Sequence, residues 1–505
     1  MMTQLIKKND FYKLEFLRYI YIHQPITVKQ IMQVFDLPRS TAKRTLAELT
    51  ADLDRITADQ EIVVKGEDYT YQLEYDDEKH FNQIFLKLKV YYCDNSIPFS
   101  LLKLLLFNEV TTISAASETL SISVTHCYRS IVKINEVLSE FDVAIENNSG
   151  NFSISGREET IRLICFEMLT KTYLCIQWPF SSMSIADVKA QIEPEKLRVI
   201  NQLSTAEKEK ALYVYMIRLK RFKFRENLIH LSATQKDILH CFLRSHDVTQ
   251  VLSDSSRQVE LGMLSADEVY FTNFFSRLFF PKIDSDENRK QIGADLIQLN
   301  NRYSHFISDF IERFMQQFDL IGSTIFDESI YFTSICFLFD YYFHVDASPL
   351  VDVPHPSAQQ SIEYGSSLYK ATSDFVTTFI QEQQSGYPEL LSEFNNQVFL
   401  IDLLYSIVIT HRNVQLNIYI AFAQKSLTTE HLLGNKLHQL FNQKTLKIVN
   451  DVTIADLIIS DSPEKTADYA DFFYFEDFGE PLLWEKLVKL IQDKIIRKLY
   501  SSILG

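Results

Sequence analysis

The chain contains an echo of itself. The segment TVKQIMQVFDLPRSTAKRTLAEL, starting at Thr27, aligns with TISAASETLSISVTHCYRSIVKI, starting at Thr112, at a constant shift of 85 residues. Two copies of one pattern must satisfy one packing scheme, so whatever the first builds the second must also build. In the first copy Val28, Ile31, Met32 and Phe35 fall at i, i+3, i+4 and i+7, the inner stripe of a short amphipathic helix; Ile113, Ala116, Ser117 and Leu120 take the same places in the second. Asp36-Leu37-Pro38 and Ser121-Ile122-Ser123 each supply a short turn with an apolar residue in the middle, and Pro38 and Ser123 suit the entrance of a following helix.

In that second helix Ala42, Leu46, Leu49 and Leu53 point inward, matched by Cys127, Ile131, Ile134 and Leu138. The opposite face is left to solvent. In the first copy it carries Ser40, Lys43, Arg44 and Ala47, with Arg39 at the first turn: small and basic side chains that reach phosphates and base edges from inside a major groove, with Lys29 adding a phosphate contact. The echo offers Thr125, Tyr128, Arg129 and Val132 with His126 and Lys133 at their flanks, a less basic face. Both copies continue alike. Ile62, Val64, Tyr69, Tyr71 and Leu73 alternate across Lys65-Gly66-Glu67, and residues 144–154 alternate across Asn148-Ser149-Gly150, predicting a hairpin after each helix pair. Leading helices are expected over Phe11 to Ile22 and Phe99 to Phe107. Helix, turn, helix, hairpin is a winged helix-turn-helix, and the chain predicts two.

Charge agrees with that placement. The net charge of −16 opposes nucleic acid if spread evenly, but residues 1–58 hold nine basic side chains against six acidic ones, so one end of the chain is locally positive. From Gly156 onward, SGREETIRLICFEMLTKTY opens a region of helical periodicity to about residue 412, with a polar, Pro-containing break near residue 285 and an excursion at SPLVDVPHPSAQQS. The last segment changes character: LNIYIAF, LKIVND, ADLIISD and DFFYFED read as short strands around the helix TTEHLLGNKLHQLF, a small α/β unit with a parallel sheet. Its first strand exits into Ala423-Gln424-Lys425-Ser426, with no glycine-rich cradle and no cysteine nucleophile, which argues against an active site there. The expected class is multidomain and mainly α. The units run 1–75 and 76–156 (winged helices), 157–285 and 286–412 (helical bundles) and 413–505 (α/β).

Six scattered cysteines without a Cys-x-x-Cys pair read as free thiols of a reducing cytoplasm. SIYFTSICFLFDYYF is cut by Asp340 before it reaches spanning length, so no membrane crossing is expected. No HExxH, Walker loop, GxSxG, zinc-spaced set or dinucleotide fingerprint occurs, and Asp76-Asp77-Glu78 reads as solvated surface; the expectation is no enzyme, no metal and no cofactor.

Tandem winged helices, the GREETIRL entry, two helical bundles and a terminal α/β unit, in that order, resemble along the whole chain the Mga/AtxA class of transcription regulators of Gram-positive bacteria. VKQIMQVFDLPRSTAKRTLAEL with its echo is the most specific piece of the likeness. The resemblance implies that the bundles are phosphotransferase-regulation domains, that the last unit is similar to the enzyme IIB component of sugar phosphotransferase systems and mediates homodimerisation, and that the protein is a sugar-responsive activator. Ala423 and Gln424 stand where phosphate-carrying IIB units have a cysteine, which implies a fold kept for contacts; neither bundle carries the paired Asp-His of antiterminator regulation domains. Phosphohistidine candidates are His230, His240 and His246 in the first bundle and His305 and His344 in the second. His305 leads, because it lies beside Arg302 on the opening helix of its bundle, where added charge would be paired or would push a dimer contact apart.

The resulting expectation is a cytoplasmic regulator that binds double-stranded DNA, with phosphotransferase phosphodonor proteins as further partners. The rival from another class is a phosphotransferase-linked interaction module that never touches DNA, which the acidic body suits. RNA antitermination fits less well, because the N-terminus reads as helix-turn-helix rather than as a small β-type RNA binder.

Overall fold

The computed structural model describes residues 2–57, 63–65, 70–73, 78–107, 109–192, 200–201, 203–222, 229–244, 265–280, 284–320, 322–345, 367–391, 394–411, 418–423, 427–442, 445–449, 454–460, 471–475 and 480–504. The protein is mainly helical, with a small parallel sheet near the C-terminus. Its contacts group it into two units, Met1–His305 with Phe337–Val345, and Phe306–Cys336 with Asp346–Gly505.

The first unit opens with helices α1 (Met2–Leu5), α2 (Lys8–His23), α3 (Val28–Phe35) and α4 (Arg39–Ile56) and a sheet of β1 (Ile26–Thr27), β2 (Val63–Lys65) and β3 (Thr70–Leu73). The sheet is antiparallel in the order β1-β3-β2, with Val63 opposite Leu73 and Ile26 opposite Tyr71. The predicted leading helix thus runs longer than Phe11 to Ile22, and β1, two residues with no pattern of their own, is an addition. Ile62, Gly66, Glu67 and Tyr69 of the expected hairpin lie outside the described residues. The second copy follows as α5 (Glu78–Asp94), α6 (Ile97–Leu106), α7 (Ile113–Thr119), α8 (Val124–Leu138), β4 (Ala144–Asn148) and β5 (Asn151–Ser155). Its hairpin pairs Ala144 with Ser155 through Asn148 with Asn151.

The repeat holds down to single hydrogen bonds. Thr27 and Thr112 cap α3 and α7 by accepting from the backbone N–H of Gln30 and Ala115. Asp36 and Ser121, at the ends of those helices, take the left-handed conformation at φ 48° and 52°. The Leu37 N–H donates to the Met32 carbonyl at 3.2 Å, and the Ile122 N–H to that of Ser117 at 3.0 Å. Thr27 pairs with Thr70 in the first sheet and Thr112 bridges to Asn151 in the second. Beneath this frame Ile31, Ala42, Leu46, Leu49 and Leu53 are buried with Phe16, Leu17 and Ile20 of α2; Ala116, Cys127, Ile131, Ile134 and Leu138 are buried with Leu101, Leu102 and Leu105 of α6. Removing these side chains from water, at roughly 1.5–3 kcal/mol for each large one, holds each trihelical core together.

The cores differ most in charge. In the first, Lys13 of α2 is buried and its ammonium lies 2.7 Å from Asp52 of α4 and 3.1 Å from Asp10, while the Tyr92 hydroxyl of α5 donates to Asp52 at 2.9 Å. Burial pushes the Lys13 pKa down, but hydrogen bonds and attraction from Asp52 and Asp10 outweigh it, and the net shift is upward. The Tyr92 phenol is raised by burial and then by Asp52.

After β5 the chain turns at Gly156, where φ is +132° and a Cβ would stand 2.8 Å from Cγ2 of Val143. Helix α9 (Glu158–Thr172) follows and is buried on nearly every side. Buried charges tie it in. Arg162 forks onto Glu268 at 2.7 and 2.8 Å and reaches Glu158 at 2.9 Å, while Arg221 reaches Glu158 at 2.5 Å and donates to the Leu106 carbonyl of α6 at 3.3 Å. Further helices of this unit are Ile185–Ala190, Thr205–Phe222, Ala233–His240, Ala266–Arg277 and Asp286–Gln298, the last capped by Ser285 at the break expected near that residue.

The second unit buries Phe310 and Phe314 of the helix Arg302–Gln317 against Phe375 and Phe379 of Ser367–Gln383. Its sheet is parallel throughout, in the order β7-β6-β8-β9, from β6 (Ile418–Ala423), β7 (Leu446–Val449), β8 (Leu457–Ser460) and β9 (Asp471–Tyr474). The helices Leu427–Leu440 and Pro481–Leu504 cover it with Leu433, Leu437, Leu487 and Ile491. Gln424, Lys425 and Ser426 and the excursion SPLVDVPHPSAQQS lie outside the described residues.

Candidate nucleic-acid interface

Each copy presents its second helix outward because the other three sides are occupied: α4 packs on α2, α3 and α5, and α8 on α6, α7 and β4. On α4, Arg39, Ser40, Lys43, Arg44 and Ala47 are all exposed, and Lys29 is exposed on α3. Arg44 is 69% exposed and 3.9 Å from Glu48 one turn on, too loose and too wet to hold it. Among the described residues Arg39 and Lys43 have no ion-pair partner, so two cations project with their charge uncompensated.

On α8 the exposed residues are Val124, Thr125, His126, Tyr128, Arg129 and Val132. Tyr128 is steadied by the wing: its hydroxyl accepts from the Asn147 side chain at 3.0 Å, and Asn147 in turn accepts from the Gly150 N–H at 2.8 Å. Lys133 does not share this face. Its ammonium donates to the carbonyls of Ile6 at 3.1 Å and Leu5 at 3.4 Å, satisfying the end of α1, a helix that pattern reading did not anticipate. Reading the sequence also passed over the residues that set the wings. The Asn135 side chain donates to the Ile145 carbonyl at 3.0 Å and accepts from the Ile145 N–H at 2.8 Å, and Gln24 accepts from the Leu73 N–H at 2.7 Å. An amide at the back of a helix followed by a hairpin was the available signal.

The candidate histidines are dispersed. His230 is exposed in a connection, and His240 is exposed with its ring 6.0 Å from that of Tyr270. His305 is exposed, its Nε2 2.9 Å from the Asn300 side-chain oxygen. It lies on the second helix after residue 285 rather than the opening one, because Asp286–Gln298 comes first. His344 is half-buried, and His246 lies outside the described residues. Among the described residues no group of three or more His, Cys, Asp or Glu is placed to hold a metal ion, and no helix is long and apolar enough to cross a membrane.

Residues 81–169 match the family model described as the Mga helix-turn-helix domain. The match starts inside α5 and ends inside α9, so it takes in α6, α7, α8 and the hairpin of the second winged unit. It supports a Mga-like regulator family and a DNA-binding regulator, with DNA as partner. No curated protein matches the chain.

Proposed function

We propose that this protein is a cytoplasmic transcription activator, not an enzyme, that grips duplex DNA with α4 and α8. The observation that carries the reading is the paired outward helices, one within the match to the Mga helix-turn-helix description and the other bearing Arg39 and Lys43, which have no ion-pair partner among the described residues, beside Arg44. Arg39, Lys43, Arg44 and Lys29 neutralise phosphates, and the face from Arg39 to Ala47 reads bases. The C-terminal α/β unit joins two copies so that paired heads meet two half-sites. Phosphotransferase status sets activity through a histidine, with His305 first and His240 and His230 after it; charge added at an exposed helix residue shifts a nearby contact.

A salt titration of binding to promoter duplex tests the core of this. Log affinity should fall against log salt by about 0.9 for every phosphate neutralised. Arg39→Ala with Arg44→Ala should weaken binding by about 1–3 kcal/mol for each side chain that reads a base, or uniformly across sequences where it holds phosphate. A double variant that binds as tightly as the parent at equal salt removes α4 from the interface. A chain with no salt-dependent duplex binding returns the acidic body to the protein-interaction reading. Reporter transcription indifferent to His305→Ala, with and without sugar, removes His305 as the control point.

A further inference from the structure

On the outward face of α8, Val124 is 44% exposed, Tyr128 46% and Val132 61%. They stand at i, i+4 and i+8 and so form one stripe along the helix. Valine on the wet side of a helix has neither propensity nor burial in its favour, so packing within the chain does not account for the stripe. The 85-residue repeat shows what stands there in the other copy: Arg39, Lys43 and Ala47 occupy the equivalent places on α4. Arg44 and Arg129 are the same at the fourth position.

We infer that α8 reads DNA by apolar contact with thymine methyl groups in the major groove, through Val124, Tyr128 and Val132, with Arg129 on the adjacent phosphate; this rests on the DNA-binding reading above. Three features select this occupant. Between Glu118 and Glu136 the chain carries no carboxylate, and Arg129 is exposed beside the stripe; Glu136 stands one turn beyond Val132 on the same line, so it is the part of the stripe around Val124 and Tyr128, next to Arg129, that favours a polyanion. Eight residues of helix extend roughly 12 Å, the rise of three to four base pairs at about 3.4 Å each, so the stripe matches a run of stacked bases. In that groove the C5 methyl of thymine is the apolar group on offer, and apolar side chains are what contact it. The Tyr128 hydroxyl is held by Asn147, which turns the ring into a fixed wall rather than a free rotor.

The test uses the full chain and duplexes selected by it from a randomised pool, each prepared with thymine and with uracil, which differ by that methyl alone. The parent should bind the uracil duplex about 4-fold more weakly per methyl touched, the worth of one buried carbon. Val124→Ser with Val132→Ser should cut the thymine-to-uracil ratio to what the Tyr128 contact alone supplies, about 4-fold, and leave the salt slope unchanged, since no charge is touched. Equal binding of both duplexes by the parent overturns the inference while leaving DNA binding intact, as does a double variant that discriminates as strongly as the parent. A double variant with altered sedimentation assigns the stripe to contact between copies and also overturns it. Absence of salt-dependent binding to either duplex is the separate failure of the underlying reading.

Discussion

The outward helices α4 and α8 share an interior and differ outside. Ala42, Leu46, Leu49 and Leu53 correspond to Cys127, Ile131, Ile134 and Leu138, all buried, whereas Arg39 and Lys43 give way to Val124 and Tyr128. The constraint on the inside is volume and hydrophobicity, which many residues meet without change of frame. The outer face has no such constraint from the fold and is free to take up a different chemistry of recognition. The family match falls on the second, less basic unit. Frame and turn geometry, more than positive charge, are what the two copies have in common.

The largest test of this comparison concerns the place where the interiors diverge in charge. Asp52, buried against Lys13, stands where the second copy has buried Val137. Lys13→Met alone leaves the buried Asp52 carboxylate with the Tyr92 hydroxyl and Arg55 at 3.6 Å and should cost about 3 kcal/mol, whereas Lys13→Met with Asp52→Val removes both charges and should recover most of that loss, short of the Tyr92 hydroxyl left without its acceptor. Denaturant midpoints read by hydrogen exchange in α2 and α4 measure both; a double variant as damaged as the single would mean that the cores are not interchangeable. The sign with pH is fixed. Lys13 has its folded pKa raised, so its contribution is complete below the ordinary lysine value and disappears as pH climbs through the folded one. Tyr92, also raised, keeps its proton when folded after the unfolded phenol has lost it, which again lowers stability as pH rises above about 10. Tyr92→Phe should lessen this alkaline loss.

Next in size is an exchange of outer faces. Arg39→Val with Lys43→Tyr gives α4 the side chains of α8 and should weaken duplex binding by about 2 kcal/mol, lowering the salt slope by about 1 for each phosphate no longer neutralised. The reverse exchange, Val124→Arg with Tyr128→Lys, should steepen the slope. If neither exchange moves it, the outer faces do not meet phosphate and the comparison loses its functional meaning. A smaller effect is expected at the wings. Asn135→Ala leaves both backbone groups of Ile145 without the partner they have now, at a cost of about 1–2 kcal/mol. The equivalent residue of the first copy, Thr50, donates to the Leu46 carbonyl and does not clamp a strand, so Thr50→Ala should cost less. Thermal unfolding of the two variants ranks them.

Much of the frame could be read from the residues because its causes are local. The stripe Ala42, Leu46, Leu49, Leu53 has the helical period, Ser123 is a capping residue followed by a helical run, and the alternation after Ala144 has the period of a strand. What stayed hidden depends on partners distant in sequence. Nothing near Lys133 announces that the carbonyls of Leu5 and Ile6 will claim it, and β1 is a strand through its pairing with Thr70 and Tyr71 alone. The cluster of Glu158, Arg162, Arg221 and Glu268 is likewise invisible to periodicity, since it joins helices up to 110 residues apart in sequence, as in the 106-residue step from Arg162 to Glu268. The exposed α4 face was legible because amphipathic spacing alone leaves it outside.

The smallest predicted difference lies at the helix entrances. Thr27 caps α3 within a full capping box: its side chain accepts from the Gln30 N–H while the Gln30 side chain accepts from the Thr27 N–H at 2.7 Å. At the equivalent place Thr112 accepts from the Ala115 N–H at 3.1 Å, and alanine has nothing to return. Thr112→Ala should cost about 1 kcal/mol and Thr27→Ala a few tenths more, because each leaves an N–H of the first turn without its acceptor and Thr27→Ala also removes the hydroxyl contact to the Gln30 side chain. Gln30→Ala should cost only a few tenths of a kcal/mol, since the Thr27 N–H it releases is exposed and water replaces the bond. In the Gln30→Ala background, α3 is capped as α7 is, and the two threonine substitutions should then converge to the same loss. Site-resolved hydrogen exchange in the first turns of α3 and α7 would detect it; a Thr27→Ala loss that stays larger after Gln30→Ala would place the difference in β1, which Thr27 also pairs into the sheet.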